Sequence, residues 1–232
     1  MAHSSGWLQG RENSIEGLQA ALSFNADIIE IDVRKSRDGV LYCHHGLIPF
    51  GVFAAQFFRF INFKTIKQLV GERETLADML AIIPEHVDIY LDVKSRRISA
   101  EDLKPHVSIK NTVWVSAYRI WQLKKLRKGL GEDFIYAYNR PFILKTTDIP
   151  RLVGVADIVH LLKWQWKQKT IDEIESKGIA CRLAHWFLTF KEYQDWSRNL
   201  SPWKGVCLGY DDLSAMQRSE GKLLADTISV QG

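Results

Sequence analysis

A chain of 232 residues with 46% apolar content suits one large domain, and no stretch rich in Pro, Gly and Ser marks a linker that would divide it. The formal charge of +4 comes from scattered lysines and arginines, which suits an anionic small molecule and argues against nucleic acid, where a dense basic stripe is expected. Three cysteines without metal-finger spacing indicate neither a disulfide framework nor a zinc site, and a reducing cytoplasm is the expected location.

Met1 leads into A-H-S-S-G rather than a basic and then apolar run, so no signal peptide is expected. Asn13 or Ser14 can cap a helix carrying Ile15, Leu18, Ala21 and Leu22 at helical spacing. The chain then turns at Asn25-Ala26 into I-I-E-I-D-V-R, whose period-two alternation predicts a strand. Asp38-Gly39 supplies a hairpin turn, and Val40 to Cys43 runs back as a second extended segment ending in His44 and His45. Paired acids on a strand are most often a solvated face. Glu30 and Asp32, however, sit two apart on one face with roughly 7 Å between Cβ atoms, close enough to grip one hard cation.

Residues 46 to 63 form an aromatic-rich insert, read as a core-packed loop with an apolar lid or lipid-contacting surface as the alternative. Pro49, Gln56, Arg59 and Asn62 interrupt it, and its apolar parts are too short to span a bilayer. Glu74 to Leu80 reads as a helix ending before Pro84, and V-D-I-Y-L-D-V-K as another strand with Asp88, Tyr90, Asp92 and Lys94 on one face. A third carboxylate and a lysine therefore stand at a strand's end.

The alternation continues with strands at Val113 to Ser116, Phe134 to Tyr138, Asp157 to Leu162, Ile179 to Ala184 and Gly205 to Leu208. Helices are predicted at Ile120 to Leu130, Thr170 to Lys177, around Lys191 to Trp196 and at Asp212 to Gln217. Counting Ala2-His3 and leaving the hairpin return aside gives about eight strands alternating with helices. That rhythm predicts an α/β fold, a TIM (β/α)8 barrel with a small hairpin and aromatic insert after the second strand, as a single domain over 1–232. An open α/β sheet is the alternative architecture. In such barrels the chemistry sits at the C-terminal ends of the strands, where His3, Glu30, Asp32, Asp92 and Lys94 all fall.

Five short motifs in order, A-H-S-S-G, E-N-S at Glu12 to Ser14, I-E-I-D-V, D-G-V-L-Y-C-H-H and L-D-V-K, resemble the glycerophosphodiester phosphodiesterase family. The resemblance is dense over the first hundred residues and thin afterwards. It implies His3 and His45 as the general acid/base pair and Glu30, Asp32 and Asp92 as ligands of a divalent cation. It also implies Lys94 near the substrate phosphate, and Glu12 holding the entrance loop. Oxygen-only ligands suit Mg²⁺ or Ca²⁺ rather than zinc, and histidine can donate or accept a proton near neutral pH. His44, His86, His106, His160 and His185 gain no such support and are read as structural or exposed.

Four departures from the family pattern stand out. Ser4 replaces an arginine after the first histidine, Gly46 an aspartate after the second, Asp92 a glutamate, and Leu208 to Asp211 stands where T-D-x-P is common. Arg11 or Arg34 could substitute for the missing guanidinium. The expected activity is hydrolysis of a glycerophosphodiester, with lysolipid cleavage of the phospholipase D type or an idle phosphate-binding barrel as alternatives. The expected partner is a small phosphodiester or lysolipid, with no transmembrane segment and no prediction of oligomeric state.

Overall fold

The computed structural model describes residues 1–5, 11–45, 57–107, 110–139, 144–162, 165, 167–187 and 207–210, apart from the side chains of 3, 162, 183–187 and 207–210. Eight strands form one sheet: β1 (Ile28–Lys35), β2 (Leu41–Cys43), β3 (Asp88–Val93), β4 (Val113–Ala117), β5 (Ile135–Asn139), β6 (Ile158–Leu162), β7 (Ala180–Phe187) and β8 (Cys207–Tyr210). Their order is β2-β1-β3-β4-β5-β6-β7-β8, and every pair except β1 with β2 is parallel. Ala2 adds a parallel bridge to Ile29 on the edge of β1 that also carries β2. Seven parallel strands and the Ala2 segment thus match the predicted count, and β2 is the hairpin return.

The hairpin forms where the sequence places it because Gly39 takes φ 90°, open to glycine without steric cost. Asp38 then does a second job. Its Oδ1 accepts from Ser36 Oγ and from the Phe63 N–H, tying the turn to the start of the helix Phe63–Val70. That helix is not among those the sequence predicted.

Other helices follow local chemistry. Ser14 caps Ile15–Ser23 by accepting from the Gly17 N–H at 3.1 Å, and Thr75 with Asp78 forms a capping box at Leu76–Leu80. The helix at Ile120–Leu130 turns Leu123, Leu126 and Leu130 inward, and Gln168–Glu175 precedes Gly178, which takes φ 74°. The helices expected around Lys191 to Trp196 and at Asp212 to Gln217 lie outside the described residues, as do 46–56 of the aromatic insert.

Ile29, Ile31 and Val33 of β1 pack with Ile89, Leu91 and Val93 of β3 in the principal core. Alternate residues of the same strands, Glu30, Asp32, Tyr90 and Asp92, therefore take the other face, and all four are buried. Among the described residues no helix is long and apolar enough to cross a membrane.

Candidate active site

Parallel register decides the site. Asp32 of β1 pairs with Asp92 of β3, which pairs with Ser116 of β4, so three side chains stand abreast on one face across adjacent strands. Glu30 lies one step deeper, opposite Tyr90. The ligand atoms of Glu30, Asp32 and Asp92 fall within 4.8 Å of one another, and all three residues are buried. The structure thus brings Asp92 to Glu30 and Asp32, which lie far from it along the chain.

Buried carboxylates need donors, and each finds them. The Ser4 N–H donates to Glu30 Oε2 at 2.5 Å, and Ser4 Oγ to Asp32 Oδ2 at 3.0 Å. Asn13 Nδ2 donates to the same Asp32 oxygen at 2.8 Å, while Asn13 Oδ1 accepts the Asp32 N–H at 2.8 Å. Asp92 Oδ1 accepts from Ser116 Oγ and Oδ2 from Tyr118 OH, each at 2.9 Å.

Ser4, Ser5 and Asn13 all take positive φ (44°, 56° and 50°), a region that costs a non-glycine residue energy. The same three residues reach β1 with their polar groups, Ser5 Oγ donating to the Glu30 carbonyl at 3.1 Å. The conformational cost is offset by these bonds. Ser4, where the family pattern has arginine, is therefore not an empty position but a short donor to two of the three carboxylates.

Lys94 closes the ring. Its Nζ lies 2.8 Å from Asp32 Oδ1 and 2.6 Å from Asp92 Oδ2, and it also donates to Tyr118 OH. Burial works against a charged lysine here, but Asp32 and Asp92 outweigh it and hold the ammonium well above the usual lysine range. Burial likewise pushes the Tyr118 phenol well above its usual value, so it stays a neutral donor. Asn13 was read in the sequence only as a candidate helix cap, and Ser116 and Tyr118 were not singled out. Only the register across strands reveals Ser116 and Tyr118, whereas Asn13 could have been found in the E-N-S motif.

At the end of the hairpin the two histidines part. The His44 N–H donates to the Asp32 carbonyl at 3.0 Å, and its ring, 1% exposed, places Nδ1 3.1 Å from Glu12 Oε1. Phe58 stacks on that ring with centroids 6.1 Å apart. His45 is half-buried, and its carbonyl accepts from Arg34 Nη2 at 2.7 Å while the His44 carbonyl accepts from Arg34 Nε at 2.9 Å. Burial raises the Glu12 carboxyl, but the His44 bond and the charges of His44 and His45 outweigh it and leave it below its usual value. His44, read in the sequence as structural or exposed, is thus buried, with its ring against Glu12. His3 lies in the 3-10 turn His3–Ser5, directly after the Ala2 bridge, and its side chain lies outside the described residues.

Arg11 is committed elsewhere, to Glu74 Oε1 at 2.5 Å and the Glu72 carbonyl at 2.6 Å. Arg34 lines a cleft together with Lys94, which Arg11 does not.

Below the carboxylates, Tyr90 OH meets His160 Nδ1 at 3.1 Å with the rings stacked. Burial lowers the His160 pKa to about 4. Because the unfolded chain takes up a proton near pH 6.5 and the folded one does not until about 4, stability is complete above pH 7 and falls between those values. The expected loss is on the order of 3 kcal/mol, and His160→Gln should flatten this part of a urea-melt pH series. A pH dependence unchanged by the substitution would disprove the buried neutral state.

A mostly parallel α/β sheet with buried carboxylates gathered on one face defines the class, the strand arrangement on which (β/α)8 enzymes are built. The chain belongs to the glycerophosphoryl diester phosphodiesterase family, whose model matches residues 3–201. No curated protein matches the chain. Solved structures do. A glycerophosphodiester phosphodiesterase from Parabacteroides distasonis superposes with TM-score 0.71 at 17% identity, covering 96% of each chain. One from Thermotoga maritima gives 0.69 at 20% identity, over 94% of this chain and 96% of that one. An Oleispira antarctica phosphodiesterase in complex with the product sn-glycerol-3-phosphate gives 0.66 at 18%, over 94% and 95%.

Proposed function

We propose that this chain hydrolyses glycerophosphodiesters to sn-glycerol 3-phosphate and an alcohol, with a divalent cation held by Glu30, Asp32 and Asp92. The observation that carries the reading is the convergence of three buried carboxylates within 4.8 Å on neighbouring strands. Their all-oxygen donor set fits Mg²⁺ or Ca²⁺. The chemistry such a cation supplies when bound is neutralisation of charge on a phosphate oxygen and stabilisation of the leaving oxygen.

The chain's own groups account for the remaining work. Lys94, held cationic by Asp32 and Asp92, draws the phosphate to the carboxylates. Tyr118, Ser116, Asn13 and Ser4 fix the carboxylates so that little reorganisation is needed when substrate arrives. His3 and His45 are the proposed acid/base pair, one taking the proton of the attacking oxygen and the other protonating the departing alcohol. His45 is supported by its place at the hairpin's end, where Arg34 fixes its backbone.

The test is release of glycerol 3-phosphate from glycerophosphocholine by metal-stripped protein, with added Mg²⁺ or Ca²⁺ and with EDTA. Activity restored by either ion supports the reading, and activity indifferent to EDTA removes the metal role. A lysolipid substrate is the second reading, favoured by Phe57 and Phe60, which are 64% and 57% exposed beside Arg59 of the cleft that Lys94 also lines. Turnover of lysophosphatidylcholine well above that of glycerophosphocholine would select it. Phosphate binding without turnover of either would leave an idle barrel.

A further inference from the structure

A cleft of about 40 Å³ meets the carboxylate site at Lys94 and is lined otherwise by residues that the proposed reaction does not use. That volume holds at least two water-sized positions, and the cleft opens to solvent, so an oxyanion can enter it with part of the group outside. Five of its seven lining residues are cationic: Arg34, Lys35, Arg59, Lys94 and Arg96. Their nearby carboxylate partners are few and already engaged. Lys35 pairs with Asp102 at 2.6 Å, Lys94 with Asp32 and Asp92, and Arg34 spends Nε and Nη2 on the carbonyls of His44 and His45.

Arg59 and Arg96 are differently placed. Arg59 comes from the 3-10 turn Phe58–Phe60 of the aromatic insert, which Arg97 ties to the loop after β3 by donating to the Arg59 carbonyl at 2.6 Å. The Arg59 guanidinium packs 4.5 Å over the Phe60 ring, and its buried Nε finds no hydrogen-bond acceptor among the described residues. A buried guanidinium N–H without an acceptor is costly, and an oxyanion in the cleft would satisfy it. Arg96 follows Ser95 on the loop after β3 and lines the cleft with Arg59, which brings the two guanidinium side chains to one opening.

We propose that this cleft is a second oxyanion subsite, in which Arg59 and Arg96 take a phosphate-type group on the distal substituent of the substrate. The assignment to substrate rests on the phosphodiesterase reading above. Lys94 lines both the cleft and the carboxylate site, so a diester whose reacting phosphate sits at the carboxylates can place a second anionic group against Arg59. The preferred substrates are therefore diesters carrying an additional phosphate, not those ending in a choline cation. A cationic headgroup would meet like charge in the cleft.

The first experiment measures inorganic phosphate binding to metal-stripped protein by calorimetry, for the unaltered chain, the Arg59→Gln/Arg96→Gln double variant, and a Lys124→Gln/Lys128→Gln control of equal charge change. Binding weakened about tenfold in the cleft variant but not in the control supports the subsite. Equal weakening in both, or no binding to the unaltered chain, overturns it. Vesicles containing phosphatidic acid form the second arm, and binding to them without binding to phosphate assigns the patch to a membrane surface and overturns the proposal. For the substrate assignment, kcat/KM is compared between glycerophosphocholine and a glycerophosphoinositol phosphate. Arg59→Gln should cost the second substrate about tenfold more than the first, and an equal loss would refute the assignment. Phosphate binding needs no turnover, so it survives or fails independently of the hydrolase reading.

Discussion

Asp92→Asn is expected to lower kcat/KM for a glycerophosphodiester by about a thousandfold while leaving the fold in place. Asparagine keeps the shape and can still accept from Ser116 at Oδ1, so the β3–β4 register has no reason to change. What disappears is one of three carboxylate charges within 4.8 Å and the partner of Lys94 at 2.6 Å. With Asp32 alone facing the ammonium, the site holds a cation less tightly and aims Lys94 less well. Ser116→Ala removes only a hydrogen bond to Asp92, and its expected cost is about tenfold. Steady-state kinetics over a metal titration, with melting temperatures as the fold control, checks both. A loss below tenfold for Asp92→Asn at saturating metal would disprove the shared-cation site.

His45→Asn is expected to reduce kcat by about a hundredfold to ten-thousandfold and to remove one limb of the pH–rate profile, as loss of an acid/base group does. His44→Asn should behave differently. The His44 ring is buried between Phe58 and Glu12, so its replacement loses the 3.1 Å contact to Glu12 and the stacking. The expected result is a lower melting temperature and a loss of kcat of about tenfold, with both limbs of the profile kept. The reverse pattern would transfer proton handling from His45 to His44, whose backbone is the one bonded to Asp32.

These two histidines show where a linear reading reaches its limit. The motif D-G-V-L-Y-C-H-H assigns His45 because it stands where the family's second histidine stands, and such matching is indifferent to which face a side chain takes. The ladder Val33 with Cys43 continues into the His44 N–H on the Asp32 carbonyl, which sets His44 opposite Asp32. Arg34 was legible only as one of two guanidinia that could replace the missing arginine. Side-chain partners separated them, because Arg11 is held by Glu74 and Glu72 while Arg34 adjoins Lys94.

The chain's sequence by itself determined the alternation of strands and helices, the Asp38-Gly39 turn, and the placing of the carboxylates Glu30, Asp32 and Asp92 on strands. Those features are encoded over a few residues, by period, by glycine's freedom at positive φ and by motif order. Only the tertiary structure decided that Ser116 and Tyr118 would bind Asp92, that Ser4 would turn its donors onto Glu30 and Asp32, and that Arg59 would meet Arg96 in one cleft. Residues 24 to 37 positions apart become neighbours only through strand register and through the anchoring of the Phe58–Phe60 turn, which local pattern does not specify.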